Sequence, residues 1–567
     1  MLEKIWEYRN KQLKNEDIYA LSKKLGLSFV MTVILMNRGL ISEDEIGAYK
    51  KKSLEEIHSP FLFPDMEKAT ARIIAAIEKK EKIVIYGDYD VDGITSTSIL
   101  YLFLKSQGAD ISYYIPDRFT EGYGINIMAV NRLAKSGVRL MISVDCGITS
   151  VGEVEFAKTQ GMDVIITDHH TPKEDIPKAV AVLNPKVTDC GYPFLHLAGV
   201  GVAFKLVLGL CKKLCMNTRD VFFKYVDLAS LGTIADSVLL LGENRVIADK
   251  GISALQNTNN SGIKALIKVS GIEDRTIAST SVAYALAPRL NVSGRLENAS
   301  LSVELLTSDN FGEALKIAEY LTELNYKRQQ IEQEIYQDAL SMIEDYPKDN
   351  IVYVLKGQNW HHGVCGIVAS KLCEKLYRPV ILISCENGVG KASCRSIEEF
   401  NLFDALTDSE ELLTTFGGHA QAAGLTICEE NSCEFTKRIN KYAKAHIGEV
   451  KLMPKIKIDC DLEPTSLTLS AAKTLMALEP FGIGNENPTF SARRLKVVAI
   501  SSMGADKKHL RMRLSGGNSI FNAVGFSMAD FCNEIAVGDY VDIAFNMGVN
   551  TYQGTESLQL ILKDIKK

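Results

Sequence analysis

A multidomain α/β protein ending in a small β-barrel is the fold class predicted by three features of this 567-residue sequence. From Lys82 onward, short runs of β-branched residues alternate with helical stretches, which predicts βαβ units and a parallel sheet. Residues 312–345 keep a helical period without proline, which predicts one long helix. From Lys455 the pattern changes to short strands with glycine-containing turns, which predicts an oligonucleotide-binding (OB) type barrel.

The elements follow in order. Residues 1–60 read as helical and amphipathic, with the apolar run Phe29 to Met36 as a packing helix. Strands are expected at 83–86, 111–115, 140–144, 164–167 and 179–183, separated by helices over 96–107, 127–136 and 151–160. Further helices are expected over 200–214 and 221–231, the second running into the turn that carries Asp236. The polar faces of the 312–345 helix suit a bridge between domains. After Pro347 the alternation restarts with strands 351–355 and 380–384 around a helix over 364–376, which predicts a second α/β domain ending near Gly448. Barrel strands are expected at 495–501, 510–514, 521–526, 540–546 and 558–562. The division is therefore 1–60, 61–311, 312–346, 347–450 and 451–567.

Hydrophobic content of 46% and charged content of 24% fit a soluble globular chain. The N-terminus lacks the apolar core of a secretory signal, and no apolar run is long enough to span a bilayer, so a cytoplasmic protein without membrane contact is expected. Twelve scattered cysteines without zinc-type CxxC spacing read as reduced thiols. A net charge of −6 argues against general polyanion binding, so the local distribution decides. Arg493, Arg494, Lys496, Lys507, Lys508, Arg511 and Arg513 stand against Asp506 alone, which is compatible with a polyanion track or a solvated strand face.

Chemistry concentrates where the first strands end. Asp88, Asp90 and Asp92 follow the first strand, Asp145 follows the third, and Asp168, His169 and His170 follow the fourth. Ligands of parallel α/β sheets collect outside the carboxyl ends of strands. Carboxylates crowded there cannot all ionise without compensating cations. An EF-hand loop also begins D-x-D-x-D-G, but Ile99 stands where its bidentate acid belongs, which excludes that site. At a strand end, alternating acids diverge unless the chain turns, and Gly87 and Gly93 permit the turn. Asp145, His169 and Asp236 complete an imidazole–carboxylate set suited to Mn²⁺ or Mg²⁺, and Cys146 reads as a small packing residue. A pair of such cations activates water and stabilises a leaving oxygen at phosphorus. Of the adjacent His169 and His170, one is expected as a ligand and the other as a general acid or phosphate contact.

These residues resemble the DHH phosphoesterase superfamily. The ordered set HSPFLFPDMEKA, GDYDVDGITSTSIL, PDRFTEGYG, SVDCGI, TDHH, LNPK, LAGVGVAFKL, LGTIADSVLL, APRLNVSGRLENAS and WHHGVCGIVASKL is similar to the bacterial RecJ family over essentially the whole chain. The resemblance implies a parallel-sheet DHH catalytic domain, a connecting helix, a DHHA1 domain and an OB barrel. It implies a single-stranded-DNA-specific 5′→3′ exonuclease of DNA repair and recombination that uses two divalent cations, Mn²⁺ or Mg²⁺. Asp88, Asp90, Asp92, Asp145, His169 and Asp236 would hold the metals. His170 would be the phosphate-facing catalytic residue and Asp168 its orienting partner.

KASCRSI (391–397) and FGGHAQAAGL (416–425) are similar to DHHA1 substrate-binding motifs. Gly417, Gly418 and His419 would approach a phosphate closely, and Ser393 with Arg395 would clamp a terminal 5′-phosphate. Arg118, Arg289 and Arg295 would line the backbone path, and Arg493, Arg494, Lys507, Lys508, Arg511 and Arg513 would feed the strand. Cys394 replaces the small residue expected in that motif and should narrow the site. Expected partners are single-stranded DNA, a single-strand-binding protein and a helicase. The chain ends at LKDIKK, so contacts made through the extra C-terminal domain of some relatives are not expected. Two alternatives stay open: a DHH phosphodiesterase of short oligonucleotides, and a non-catalytic nucleic-acid-binding scaffold.

Overall fold

In the computed structural model, residues 3–447, 452–504 and 506–567 are described. Gly448, and with it the expected border at 450/451, lies outside them.

The first sheet is wholly parallel, with strands in the order Asp110–Tyr114, Lys82–Tyr86, Val138–Val144, Asp163–Thr167, Ala181–Leu183. Both faces are covered, so its inner strands are near-continuous apolar runs, while the edge strand Asp110–Tyr114 (DISYY) is only partly buried. In sequence order the arrangement is 2-1-3-4-5, and the connection reverses direction between Lys82–Tyr86 and Val138–Val144. That switch point opens a crevice at the strands' carboxyl ends, between the chain that carries Asp88 and the chain that carries Asp145.

The helix after the first strand is Val91–Ser106, five residues longer at its start than the sequence pattern suggests. Asp90 is its N-cap, accepting from the Gly93 amide at 3.1 Å, and Asp92 lies in its first turn. The acids therefore sit on a turning helix start and not on an alternating strand end. Nearly every residue of the helix is buried, which hides the amphipathic period that normally marks a helix's beginning.

Helix Phe311–Glu344 bridges two cores. Its first half buries Ala314, Ala318 and Leu321 against the catalytic core, and its second half buries Ile335 and Ala339 in the next one. Between them Arg328 bonds Asn325 at 3.0 Å and pairs with Glu332, which also pairs with Lys371 of helix His362–Leu376.

The second sheet runs Leu413–Gly418, Ala422–Cys428, Val389–Arg395, Val380–Glu386, Tyr353–Gln358, and only the last pair is parallel. The restarted β/α alternation thus holds for one unit and then gives way to a meander. Asn387 and Gly388, both at positive φ, make the two-residue turn that reverses the chain into Val389–Arg395.

The barrel strands Phe490–Met503, His509–Gly516, Ser519–Gly525, Thr555–Lys566 and Tyr540–Tyr552 close on themselves through the pairing of the first with the last. Residues 1–60 are not a separate helical segment. Ile5–Tyr8 is a strand, parallel to Lys455–Ile458, and Trp6 Nε1 donates to Asp564 at 2.8 Å. Ile18, Met31, Val33, Ile34 and Ile46 of the following helices join one hydrophobic cluster with the barrel residues, so the barrel and these helices share a core. Among the described residues no single helix is long and apolar enough to cross a membrane. The bent pair Asn15–Leu25 and Phe29–Asn37 passes that test only jointly, across a 111° break.

Arg245 locks these parts to the catalytic domain. It is 3% exposed, lies 3.7 Å from the Tyr49 ring centroid, and donates to the carbonyls of Tyr49, Leu478 (3.0 Å) and Glu479 (3.3 Å). Arg245→Ala takes the side-chain donor from the Tyr49 carbonyl, removes one donor each from the Leu478 and Glu479 carbonyls, which keep Asn485 and Lys52, and removes the cation–π contact. We expect a loss of about 3 kcal/mol in denaturant unfolding and faster proteolysis between barrel and catalytic domain. An unchanged midpoint would remove Arg245 from this role.

Candidate metal centre and substrate cleft

Three overlapping ligand sets meet in the crevice. Asp88, Asp90 and Asp145 offer carboxylate oxygens within 4.8 Å of one another, Asp92 and Asp236 do the same with a His169 ring nitrogen, and Asp145 does so with ring nitrogens of His169 and His170. His169 Nε2 joins the sets, 3.2 Å from Asp145 Oδ1, 3.6 Å from Asp236 Oδ2 and 3.9 Å from Asp92 Oδ2. All six predicted ligands are therefore assembled from four separate places in the chain.

The electrostatics are those of a cation site. Burial, and then Asp90, pushes Asp92 up to about 7. Burial, and then Asp92 and Asp90, pushes Asp236 up to about 9. Asp88 and Asp145 are raised well above the carboxylate range, again first by burial and then by neighbouring acids. Burial, followed by the charge of His170, drops His169 to about 3. Asp88 Oδ1, Asp145 Oδ1, Asp236 Oδ2 and both His169 ring nitrogens are buried without hydrogen-bond partners. Buried polar atoms are rarely left so, and oxygen with imidazole donors is the set that Mn²⁺ or Mg²⁺ takes. The residues fit two divalent cations. Cys146 points away, its sulfur 3.8 Å from the Tyr86 carbonyl.

Backbone geometry serves the same centre. Asp145 has φ 58° and Ser237, next to Asp236, has φ 61°, a left-handed conformation that asparagine and aspartate adopt at modest cost. The Asp92 carboxylate accepts from the amides of Gly199 and Val200, both at 2.7 Å, at the start of helix Gly199–Lys213. A methyl group on Gly199 would collide with the Asp145 carboxylate, so only glycine allows this helix to approach.

Asp168 makes no ligand contact. Its carboxylate accepts from the amides of Ile148 (2.9 Å), His169 (2.7 Å) and His170 (3.0 Å) and lies 2.8 Å from His170 Nδ1. Burial raises Asp168, but the His170 ring and these donors together hold it below its ordinary value. Burial lowers His170, and the bond to Asp168 more than restores it, so the imidazole ends above its usual value. Tyr123 lies 3.1 Å from His170 Nδ1 and donates to the Asp145 carbonyl at 3.3 Å. Tyr123 is in the GYG string of the sequence, where nothing separated it from a loop aromatic.

Across the crevice stand cations. Arg118 lies 5.0 Å over the Tyr89 ring. Burial, together with the charges of Arg118, Arg328 and Arg395, lowers Arg295 to about 10 against the opposing pull of Asp90. Arg295 donates to the Gly363 carbonyl at 3.1 Å, and Phe119 meets His361 edge-on at 5.8 Å, so the two α/β domains touch here. Arg395 is held by Ser370 (3.0 Å) and the Cys394 carbonyl (2.8 Å). His361 and His362 carry buried, unpartnered Nδ1 atoms at this border and were not singled out in WHHGVCG.

Three expectations change. Arg289 bonds Thr322 of the bridging helix (3.2 Å) and the Ala285 carbonyl (2.6 Å), so it braces that helix instead of joining the cluster. Cys394 is fully buried in the second core, on the strand face opposite Ser393 and Arg395, and narrows nothing. Residues 416–425 form a hairpin at the sheet edge in which Gly417 pairs with Gly424 and Gly424 with Ser393. Cross-strand partners share a face, so two glycines leave a shelf beside Ser393, and His419 is exposed at the turn.

The basic residues of the barrel are dispersed. Arg511 and Arg513 project from its outer face, and Lys507 and Lys508 sit at the adjoining hairpin. Arg493 is tied to Asp461 at 3.2 Å, and Arg494 occupies a bulge where its amide bonds Asp542.

Comparison with known proteins places these features. The DHH family N-terminal domain matches residues 82–233, the DHHA1 domain residues 348–445 and the RecJ OB domain residues 458–564. The single-stranded-DNA-specific exonuclease RecJ of Bacillus subtilis (strain 168) is 37% identical over 561 residues, covering 99% of this chain and 70% of that protein. The enzyme of the same name from Escherichia coli (strain K12) is 33% identical over 521 residues, 88% of this chain and 90% of that one. The crystal structure of Thermus thermophilus RecJ in complex with Mn²⁺ superposes with a TM-score of 0.84 at 28% identity, covering 99% of this chain and 79% of that one.

Proposed function

From the premise that this chain belongs to the RecJ family, we propose that it is a single-stranded-DNA-specific exonuclease, degrading from the 5′ end with two divalent cations in DNA repair and recombination. The observation that carries this reading is the gathering of acidic and imidazole ligand sets with Arg118 and Arg295 of the same domain and Arg395 of the next at the domain border. The acids and imidazole define where a phosphodiester is cut, and the arginines define which phosphate arrives.

Asp88, Asp90 and Asp145 would hold one cation and Asp92, His169 and Asp236 the other, with Asp145 beside both. Bound there, the cations supply an acidified water and charge neutralisation at phosphorus. His170, oriented by Asp168, would donate a hydrogen bond to the scissile phosphate, while Tyr123 fixes the plane of its ring. Ser393, Arg395, Arg118 and Arg295 receive a terminal 5′-phosphate, with Gly417 and Gly424 as the shelf beside it and Gly418 and His419 at the hairpin end. Arg289 acts by bracing the bridging helix. Arg511, Arg513, Lys507 and Lys508 guide the incoming backbone, with Arg493 and Arg494 at the margin of that track.

The catalytic domain extends over 61–311, the connecting helix over 312–346, the substrate domain over 347–450 and the barrel over 451–567, joined by residues 1–60. Selection of one strand over a duplex rests on cleft shape and not on base edges. Cytoplasmic action beside a helicase and a single-strand-binding protein follows from a substrate that must first be unwound and kept unpaired.

Single strands labelled at either end, with and without a 5′-phosphate, test this reading. Mononucleotides should appear first from the 5′ label, and the 5′-phosphate should lower KM about tenfold or more. Arg511→Glu with Arg513→Glu should raise KM on long strands and spare dinucleotides. Faster turnover of a dinucleotide than of a long strand would favour the short-oligonucleotide phosphodiesterase instead.

A further inference from the structure

We propose that Lys186 is a further catalytic residue of this reaction, its ammonium contacting the scissile phosphate beside Asp236 and offsetting the charge that builds on the non-bridging oxygens. The proposal rests on the exonuclease reading above and deepens it.

Lys186 follows the last strand of the catalytic sheet, Ala181–Leu183, whose carboxyl end opens on the same crevice as the other strand ends. The turn is tied to the centre at three points. The Asp168 amide donates to the Leu183 carbonyl at 3.0 Å, Asn184 Nδ2 donates to the His170 carbonyl at 2.9 Å, and the Lys186 amide donates to Asn184 Oδ1 at 2.8 Å. Asn184 is fully buried, so the Lys186 backbone is held against the backbone of His169 and His170.

Lys186 is near enough to His169 and Asp236 for its charge to act on both, while its ammonium stays more than 4.0 Å from every described carboxylate. Despite that acidic company, its ammonium makes no ion pair and no hydrogen bond with any described residue. The side chain is only half-buried. The other cations of the cleft differ in this respect. Arg295 and Arg395 are hydrogen-bonded to protein, and Arg118 lies over Tyr89. Lys186 thus offers three free donors where negative charge grows during the reaction, the arrangement that lowers a phosphoryl-transfer barrier.

The chemical step itself balances without it. A water oxygen bonds to phosphorus as the P–O3′ bond breaks, one water proton reaches O3′ and the other enters solvent. Lys186 donates a hydrogen bond throughout and loses no proton.

The test is steady-state cleavage of a 5′-phosphorylated single strand by the full chain at saturating Mn²⁺, with Mn²⁺ binding measured by calorimetry. For Lys186→Gln we expect kcat about 10²-fold lower with KM and Mn²⁺ affinity within about twofold of wild type, and for Lys186→Arg a recovery of about tenfold. Unchanged kcat with altered Mn²⁺ affinity or Tm would overturn the proposal, since Lys186 would then only counterbalance the acids. A change confined to KM would overturn it too. Where Lys186→Gln proves unfolded, Lys186→Arg decides: kcat within about tenfold of wild type supports the contact, and a larger loss at unchanged Tm overturns it. Wild type that leaves the strand intact would instead defeat the exonuclease reading, and the proposal with it.

Discussion

Replacing Asp145 by asparagine is expected to lower exonuclease turnover by about 10³-fold or more and, in the same protein, to raise the stability of the metal-free form by about 1–2 kcal/mol. The two effects share one cause. Asp145 is 2% exposed, its Oδ1 has no hydrogen-bond partner, and burial among Asp92, Asp90, Asp88 and Asp236 holds its carboxyl far above its ordinary value. Asparagine keeps the shape and tolerates the left-handed φ of 58°, so neither packing nor backbone strain confuses the result. It removes the charge that a cation needs and that the metal-free fold tolerates poorly. Single-turnover cleavage, Mn²⁺ calorimetry and chelated melting curves measure the three consequences. Turnover within about tenfold of wild type would take Asp145 out of the ligand set.

Removing the metals should make stability fall with rising pH, a slope that bound cations abolish. Asp88 and Asp145 are raised well above the ordinary carboxylate range, Asp92 to about 7 and Asp236 to about 9. In the unfolded chain carboxyls release their protons near pH 4. Above that, the metal-free native state retains protons that the unfolded state has lost. Its stabilisation is therefore complete at low pH and is lost as pH climbs through the folded values, by about 1.4 kcal/mol per pH unit for each retained proton.

His170, raised as well, acts in the same direction, its stabilisation fading as pH rises through its folded value. His169, lowered to about 3, opposes the trend only below about pH 6.5, where the unfolded imidazole still binds a proton. The clean window thus runs from about pH 6.5 to about 9. Chelated protein should lose Tm steadily across it, whereas protein with Mg²⁺ at about 1,000 times its Kd should gain about 4 kcal/mol per site and keep a flat profile. Chelated protein with a flat profile would show that these acids titrate normally and that the site is not preloaded for cations.

Much of the centre was legible from residue order. Strand-terminal acids after β-branched runs, the failed EF-hand position at Ile99, and the companion motifs were enough to name all six ligands now seen together. What escaped were features without a local signature. The beginning of helix Val91–Ser106 is hidden because its first turns are buried on every side, Thr95, Ser96, Thr97 and Ser98 included, which leaves no amphipathic period. The Asn387–Gly388 turn is a local signal in the sequence, and it decides where the parallel alternation stops. Arg289 and Arg295 look equivalent in APRLNVSGRLENAS, yet six residues of helix turn one toward the bridging helix and the other toward Gly363. Tyr123 and Lys186 sit in strings that read as ordinary turns until the strand ends are placed side by side.

By itself the sequence determined the candidate ligands and the domain order: which acids and imidazoles stand at strand ends, where the strands end, and that a long helix separates two α/β units before a barrel. Strand ends and helix length depend on neighbours within a few residues, where periodicity and turn chemistry act. The tertiary structure alone decided which distant pieces face each other. The 2-1-3-4-5 strand order brings Asp145 beside Asp88, and the domain border brings Arg395 of the second domain to Arg118 and Arg295 of the first. The helices between residues 15 and 51 share one hydrophobic cluster with the barrel. Each of these depends on burying surface contributed by segments far apart in the chain, a quantity no local pattern encodes.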